Sequence, residues 1–134
     1  MPRLYVRFQT AHPDRWGRFP GVFALVDGLS AAGRLTVAQE RFRRVGNEWL
    51  TTHLVNPYAP HRQSDGRRLH PRASAWFTST AADAIDRVGG YLDILDEHGI
   101  AWARLDTDTP GVIVYDDPRQ VLAVPDGSNA ADRR

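Results

Sequence analysis

The sequence of 134 residues contains no cysteine, no lysine and no run of 18 apolar residues. The absence of cysteine excludes disulfides and cysteine-ligated zinc. The absence of lysine excludes Schiff-base chemistry and a phosphate-binding loop of the Gly-Lys-Ser/Thr type. Without a long apolar run, no membrane-spanning helix is expected. The N-terminus also lacks the continuous apolar segment of a secretory signal, so we expect a soluble, cytoplasmic protein.

All 17 basic residues are arginine, and their distribution along the chain is uneven. Residues 1–72 hold 12 arginines and 5 carboxylates, a net charge of +7, whereas residues 73–134 hold 5 arginines and 11 carboxylates, a net charge of −6. Such a split indicates either separate basic and acidic surfaces or two halves that pair with each other. A GC-rich coding sequence is the simpler explanation for the use of arginine alone.

The length fits a single domain, which we place at residues 1–125, followed by a polar tail at residues 126–134. Alternating apolar residues from Leu4 to Phe8 predict a first strand. Three helices follow: one over residues 22–29 that closes at Gly33, one that begins with the capping box of Thr36 and Gln39, and one capped by Ser79 or Thr80 that stops at Gly99.

The C-terminal part predicts β-structure. Strands over residues 100–105, 112–115 and 120–124 are separated by turns that contain proline, so we expect an antiparallel meander. The predicted order is βαααβββ. It implies an α+β fold with a four-stranded, mostly antiparallel sheet, built from the N-terminal strand and the meander, and covered on one face by three helices.

Several short motifs resemble those of a known group of proteins. They are Arg7-Phe8-Gln9-Thr10, the helix of Trp49, Trp76-Phe77, the segment Thr-Pro-Gly-Val-Ile-Val-Tyr-Asp at residues 109–116, and Gln120-Val121. With these motifs the chain resembles small, functionally uncharacterised bacterial proteins of one domain, most of them actinobacterial. No activity is attached to that family, so the resemblance implies one intact domain and assigns no functional residue.

An arginine-rich segment over residues 61–72 is the strongest candidate for a binding site. It has four arginines within eleven residues, and two aromatic residues follow it. Guanidinium groups bind phosphates and carboxylates with paired hydrogen bonds, and aromatic rings stack on planar ligands. We therefore hypothesise a non-enzymatic binding module that recognises an anionic ligand or an acidic protein surface. The predicted ligand-binding residues are Arg62, Arg67, Arg68, His70, Arg72 and Trp76.

Two other interpretations compete with this hypothesis. In the first, residues 61–72 form a solvated loop, and Trp76 and Phe77 belong to the core. In the second, the protein is a small enzyme in which His61 or His70 acts with turn aspartates as acid and base. Those aspartates are Asp106, Asp108, Asp116 and Asp117, although aspartate is also an ordinary residue of turns. No residue is assigned a catalytic role.

Other motifs narrow the choice of ligands and partners. The five histidines lack the spacing of a zinc site, and neither a glycine-rich nucleotide motif nor a complete nucleophile elbow occurs. We therefore expect no metal site and no cofactor. The net charge of only +1 argues against nucleic acid as a partner. A second copy of the chain is left open as a partner.

Negative charge gathers at the end of the third predicted helix. Asp93, Asp96 and Glu97 lie there, where they oppose the helix dipole. Negative charge at the C-terminal end of a helix is unfavourable, so it predicts a positively charged partner that compensates for it. The arginines of residues 61–72 or a basic second subunit are the candidates.

Overall fold

The computed structural model of the protein describes residues 3–58 and 70–125. The elements are β1 (Tyr5–Thr10), α1 (Val22–Ala31), α2 (Val37–His53), β2 (Ser74–Thr78), α3 (Ala82–Glu97), β3 (Trp102–Thr107), β4 (Val112–Asp116) and β5 (Gln120–Val124). This order confirms the α+β class. In the part of the chain that is described, every helix is too short or too polar to cross a bilayer.

The sheet has five strands in the order β3-β1-β2-β5-β4, so the predicted four strands were wrong. The additional strand is β2, which lies between α2 and α3 and also changes the predicted order βαααβββ. It pairs antiparallel with β1 on one side and with β5 on the other. Its five residues show no clear alternation, and its pairing partners are distant in sequence, so no local pattern indicates it.

The predicted C-terminal meander was also wrong. β4 pairs antiparallel with β5, but β3 lies at the opposite edge of the sheet, beside β1. The end of β1 joins the beginning of β3 through the N–H of Ala11, which donates to the carbonyl of Ala101 at 2.9 Å. A proline turn shows that the chain changes direction, whereas the choice of neighbouring strand depends on contacts distant in sequence.

The helix ends were predicted more accurately than the strand order. In the predicted capping box, the Thr36 hydroxyl accepts from the N–H of Gln39 at 3.1 Å, and the Gln39 side chain accepts from the N–H of Thr36 at 3.0 Å. Gly33 follows α1 with a φ of +69°, the left-handed conformation that glycine adopts easily. α3 begins at Ala82, later than a cap at Ser79 or Thr80 predicts.

The chain divides into two compact units, and the first comprises Met1–Arg7, Val55–Ala81 and Asp106–Arg134. β5 lies between β2 and β4, and its residues Val121, Leu122 and Ala123 are at most 1% exposed. The Thr78 hydroxyl at the end of β2 donates to the carbonyl of Pro118 at 2.9 Å. The core of this unit is therefore built on the paired strands β2 and β5.

The second unit comprises Phe8–Leu54 and Ala82–Leu105 and contains the three helices. Tyr91 of α3 is fully buried, and the rings of Phe23 and Phe42 pack against it edge-on at 4.8 and 5.1 Å. A Cβ atom at Gly90 would lie 2.2 Å from the Phe42 ring, and one at Gly46 would lie 2.5 Å from the Tyr91 hydroxyl. These glycines allow α2 and α3 to approach closely.

The buried face of α2 differs from the apolar stripe of Phe42, Val45 and Trp49 that its sequence suggests. The buried residues are Gln39 and Gly46, while Val45 is 58% exposed. The stripe is displaced because close approach to α3 favours the small Gly46 at the contact. Val45 is therefore part of the outer surface.

Candidate functional site

Half of the predicted binding residues fall outside the part of the chain that the structure describes. These are Arg62, Arg67 and Arg68, together with His61 of the enzyme hypothesis. The arginine-rich site therefore stays a prediction.

The other half of that site lies at the start of β2. The carbonyl of His70 accepts the N–H of Ala73 at 3.0 Å in a turn that leads into the strand, and Arg72 is exposed. Trp76 lies opposite Val121 on β5 and is half-buried. Trp76 is thus a residue of the sheet with part of its indole at the surface.

The four turn aspartates do not form one cluster. Asp106 lies within β3 rather than in a turn, Asp108 follows that strand, and Asp116 and Asp117 lie at the end of β4. Among the described residues, no three carboxylates or histidines are grouped so that they could hold a metal ion.

Asp116 and Asp117 both have structural partners. Arg3 donates to the two carboxylate oxygens of Asp116 at 2.9 and 3.0 Å. Asp117 accepts from the Tyr115 hydroxyl at 2.6 Å and from the backbone N–H groups of Arg119 and Gln120 at 2.8 and 2.9 Å. Desolvation opposes the charge of Asp117, but these hydrogen bonds prevail and lower the pKa of its carboxyl. Asp117 thereby holds the β4–β5 turn.

Two of the three carboxylates at the acidic end of α3, Asp96 and Glu97, accept hydrogen bonds from uncharged donors. The indole N–H of Trp102 donates to Asp96 at 2.9 Å, and the side-chain amide of Gln39 donates to Glu97 at 3.2 Å. The Nε2 atom of His98 lies 3.1 Å from Oε1 of Gln39.

The sequence over residues 10–20 predicts a loop, and the structure confirms it. Residues 14–19 of this loop, which we call the Trp16 turn, were not predicted as a site. Its base is closed by a β-bridge between Gln9 and Gly21 and by the N–H of Thr10, which donates to the carbonyl of Pro20 at 2.9 Å. The turn therefore projects from a fixed point on the chain. By residue type, Trp16 and Phe19 are expected to pack inward and pin this loop, but Trp16 is 68% exposed and Phe19 is 42% exposed.

Asp14 organises the Trp16 turn. Its carboxylate accepts the N–H groups of Trp16 and Arg18, each at 2.9 Å. Its N–H donates to the carbonyl of Arg18 at 2.8 Å, and its carbonyl accepts the N–H of Gly17 at 2.9 Å. Gly17 has a φ of +76°, which most side chains would strain. The motif Asp-x-x-Gly within an aromatic and basic segment is the signal that could have indicated this turn.

The side chains of the turn combine aromatic and cationic groups. The Arg15 guanidinium stacks over the Trp16 ring, with its central carbon 4.3 Å from the ring centroid. Arg18 is exposed two residues further on. Trp16 therefore presents a large apolar surface with positive charge beside it.

No protein-family model, curated protein or solved structure matches this chain. The resemblance to small actinobacterial proteins therefore stays a prediction.

Proposed function

We propose that this chain is a binding module that recognises an acidic protein surface through the Trp16 turn. The arginine-rich segment of residues 61–72 stays a separate prediction of an anion-binding site. The observation that carries the proposal is the exposed indole of Trp16 on a backbone fixed by four hydrogen bonds around Asp14. An apolar side chain left in water forgoes about 1.5–3 kcal/mol of burial free energy. A partner that covers the indole recovers this free energy.

The residue types of the Trp16 turn are those found at the centre of protein–protein interfaces. Tryptophan and arginine are the residues most often found where a few side chains carry most of the binding energy. The fixed backbone reduces the entropy that is lost when the partner binds. Arg15 and Arg18 favour a negative partner, because the Asp14 carboxylate is already satisfied by N–H groups of the turn.

A protein partner suits the turn better than a membrane or a nucleic acid. Membrane binding grows with the apolar area that is buried, and the turn offers only Trp16 and Phe19. Nucleic-acid binding relies on several phosphate contacts, whereas the whole chain has a net charge of only +1. One exposed tryptophan flanked by two arginines matches an apolar site with an acidic rim.

The test uses an immobilised peptide of alternating glutamate and leucine, with a glutamine-leucine peptide as its uncharged counterpart. We expect the wild-type chain to bind the acidic peptide more tightly, and more weakly as salt increases. Trp16→Ala should reduce binding by about 10- to 30-fold. Arg15→Gln with Arg18→Gln should reduce it as well, whereas Arg34→Gln with Arg41→Gln, which removes two exposed arginines elsewhere, should not.

A further variant and two other ligands complete this test. Arg67→Ala with Arg68→Ala tests the separate prediction for residues 61–72 and should weaken binding with little change in melting temperature. Binding that is identical in wild type and Trp16→Ala contradicts the proposal. So does binding to phosphatidylserine vesicles or single-stranded DNA in the absence of binding to the acidic peptide.

A further inference from the structure

A shallow groove lies on the second unit, along the C-terminal half of α2 and against α3. Its volume is about 290 Å³, and its lining residues are Val45, Glu48, Trp49, Thr52, His53 and Arg87. Five of the six come from α2 at spacings of three and four residues, so they share one helix face. The volume is at the lower end of ligand sites, roughly 300–1,000 Å³, and suits a ligand of amino-acid size.

Stacking holds the polar groups of the groove in place. The guanidinium carbon of Arg87 lies 4.5 Å from the centroid of the Trp49 ring. His53 stacks on the same indole with its ring centroid at 4.3 Å, and its Nδ1 atom lies 2.9 Å from the carbonyl oxygen of Trp49. A guanidinium held over an aromatic ring by a cation–π contact still has N–H groups that can bind a ligand. Arg87 is thus positioned before any ligand arrives.

The groove contains charges of both signs. In the described part of the chain, ion pairs involve Arg3 and Arg43, whereas neither Glu48 nor Arg87 takes part in one. Glu48 and Arg87 therefore line the same groove without forming an ion pair with each other. Val45, which is 58% exposed, adds an apolar wall.

We propose that this groove binds a small zwitterion, a free α-amino acid with an apolar side chain. Its carboxylate contacts Arg87, its ammonium group contacts Glu48, and its side chain covers Val45 and the edge of the Trp49 indole. A simple anion meets repulsion from Glu48, and a simple cation meets repulsion from Arg87, so a ligand with both charges fits the lining best. The inference uses no residue of the Trp16 turn and does not rest on the proposed function.

Leucine is the probe, titrated into the full-length chain while the indole N–H signal of Trp49 is followed by NMR. The signal is assigned with Trp49→Phe. We expect leucine to shift it with a dissociation constant of about 1–10 mM, as suits a shallow groove. Each of two analogues should bind about tenfold more weakly, because each lacks one charge-assisted hydrogen bond: 4-methylpentanoate lacks the ammonium group and 3-methylbutylamine lacks the carboxylate.

Two variants give reciprocal outcomes. Glu48→Gln should weaken leucine binding about tenfold but strengthen binding of 4-methylpentanoate, because it removes the repelling carboxylate. Arg87→Gln should weaken leucine binding but strengthen binding of 3-methylbutylamine. Arg41→Gln, on α2 outside the groove, is the matched control and should change nothing. A Trp49 signal that leucine does not shift, or two variants that affect all three ligands alike, overturns the inference.

Discussion

At the scale of single residues, a chain of side-chain hydrogen bonds connects the three helices of the second unit. Arg43 is at its centre, with one guanidinium nitrogen 2.7 Å from Glu40 and another 3.1 Å from Asp27. At one end the Tyr91 hydroxyl donates to Asn47 at 2.6 Å. The full chain runs through Ser30, Glu40, Arg43, Asp27, Asn47 and Tyr91. Loss of the hydrogen bond at the buried Tyr91 end should reduce stability most, because water cannot replace the lost partner there.

Tyr91 makes stability sensitive to alkaline pH. Burial first, and then the charge of Asp27, raise the pKa of its phenol to about 12. Because the folded state holds this proton more tightly than the unfolded state, the contribution of Tyr91 is complete below about pH 10 and is lost as pH rises toward about 12. We expect the free energy of unfolding, measured in urea, to fall by about 1–2 kcal/mol over this interval.

Tyr91→Phe is the control for this alkaline loss. It removes the hydroxyl and should destabilise the chain by about 1–2 kcal/mol at neutral pH. The difference between the two proteins should shrink as pH rises above about 10. The hydrogen bond to Asp117 raises the pKa of Tyr115 to about 12 as well, so some alkaline loss remains in the variant. A difference that stays constant up to pH 12 would contradict this account of Tyr91.

At the scale of elements, the adjacent glycines of α3 have different surroundings. A Cβ atom at Gly90 would collide with the Phe42 ring at 2.2 Å, whereas one at Gly89 would meet nothing within 4 Å. Gly89→Ala should therefore stabilise the chain by about 0.5–1 kcal/mol through helix propensity. Gly90→Ala should destabilise it by about 1–3 kcal/mol, because α2 must move away. Chemical unfolding of the two variants measures both; equal effects would mean that α2 and α3 do not pack closely at this position.

Sequence signals located the helices better than the strands. The capping box at Thr36 and the stop at Gly33 depend on neighbours within four residues, so they are readable from sequence alone. β2 exists because β1 and β5 pair with it from distant parts of the chain, which no local pattern records. The loop over residues 10–20 was predicted, but the exposure of Trp16 was not, for a related reason. Tryptophan is a large apolar residue that is usually buried, so only the three-dimensional structure shows that Trp16 is exposed.

At the scale of the whole molecule, the charge asymmetry of the sequence is partly resolved by internal pairing. Arg3, in the basic half of the chain, binds Asp116, in the acidic half, at 2.9 Å. Arg43 instead pairs with Asp27 and Glu40, both in the basic half. Arg15 and Arg18 of the Trp16 turn lie at the surface and leave positive charge available to a partner.

The two edge strands of the sheet differ in their protection against other chains. β3 carries exposed Arg104 and Asp106, charges that discourage pairing with another strand. β4 carries no charge before Asp116 and exposes Val112 at 56% and Ile113 at 39%. An irregularity in pairing between Ile113 and Tyr115 is its main protection.

We therefore expect association at high protein concentration to proceed through β4. Val112→Lys should reduce it, as measured by sedimentation velocity over a concentration series, because a charge on an edge strand opposes pairing. Val37→Lys places the same charge at a valine that is 80% exposed on α2 and should have no effect. Equal association in the two variants would show that another surface is responsible.

The unequal edges also determine how far such an assembly grows. When one edge of a sheet recruits strands and the other repels them, two chains that join through β4 leave only their charged β3 edges outward. A pair of this kind is closed by its own symmetry, since the same strand is used on both sides. Concentrated solutions of the protein should accordingly accumulate dimers rather than open-ended fibres.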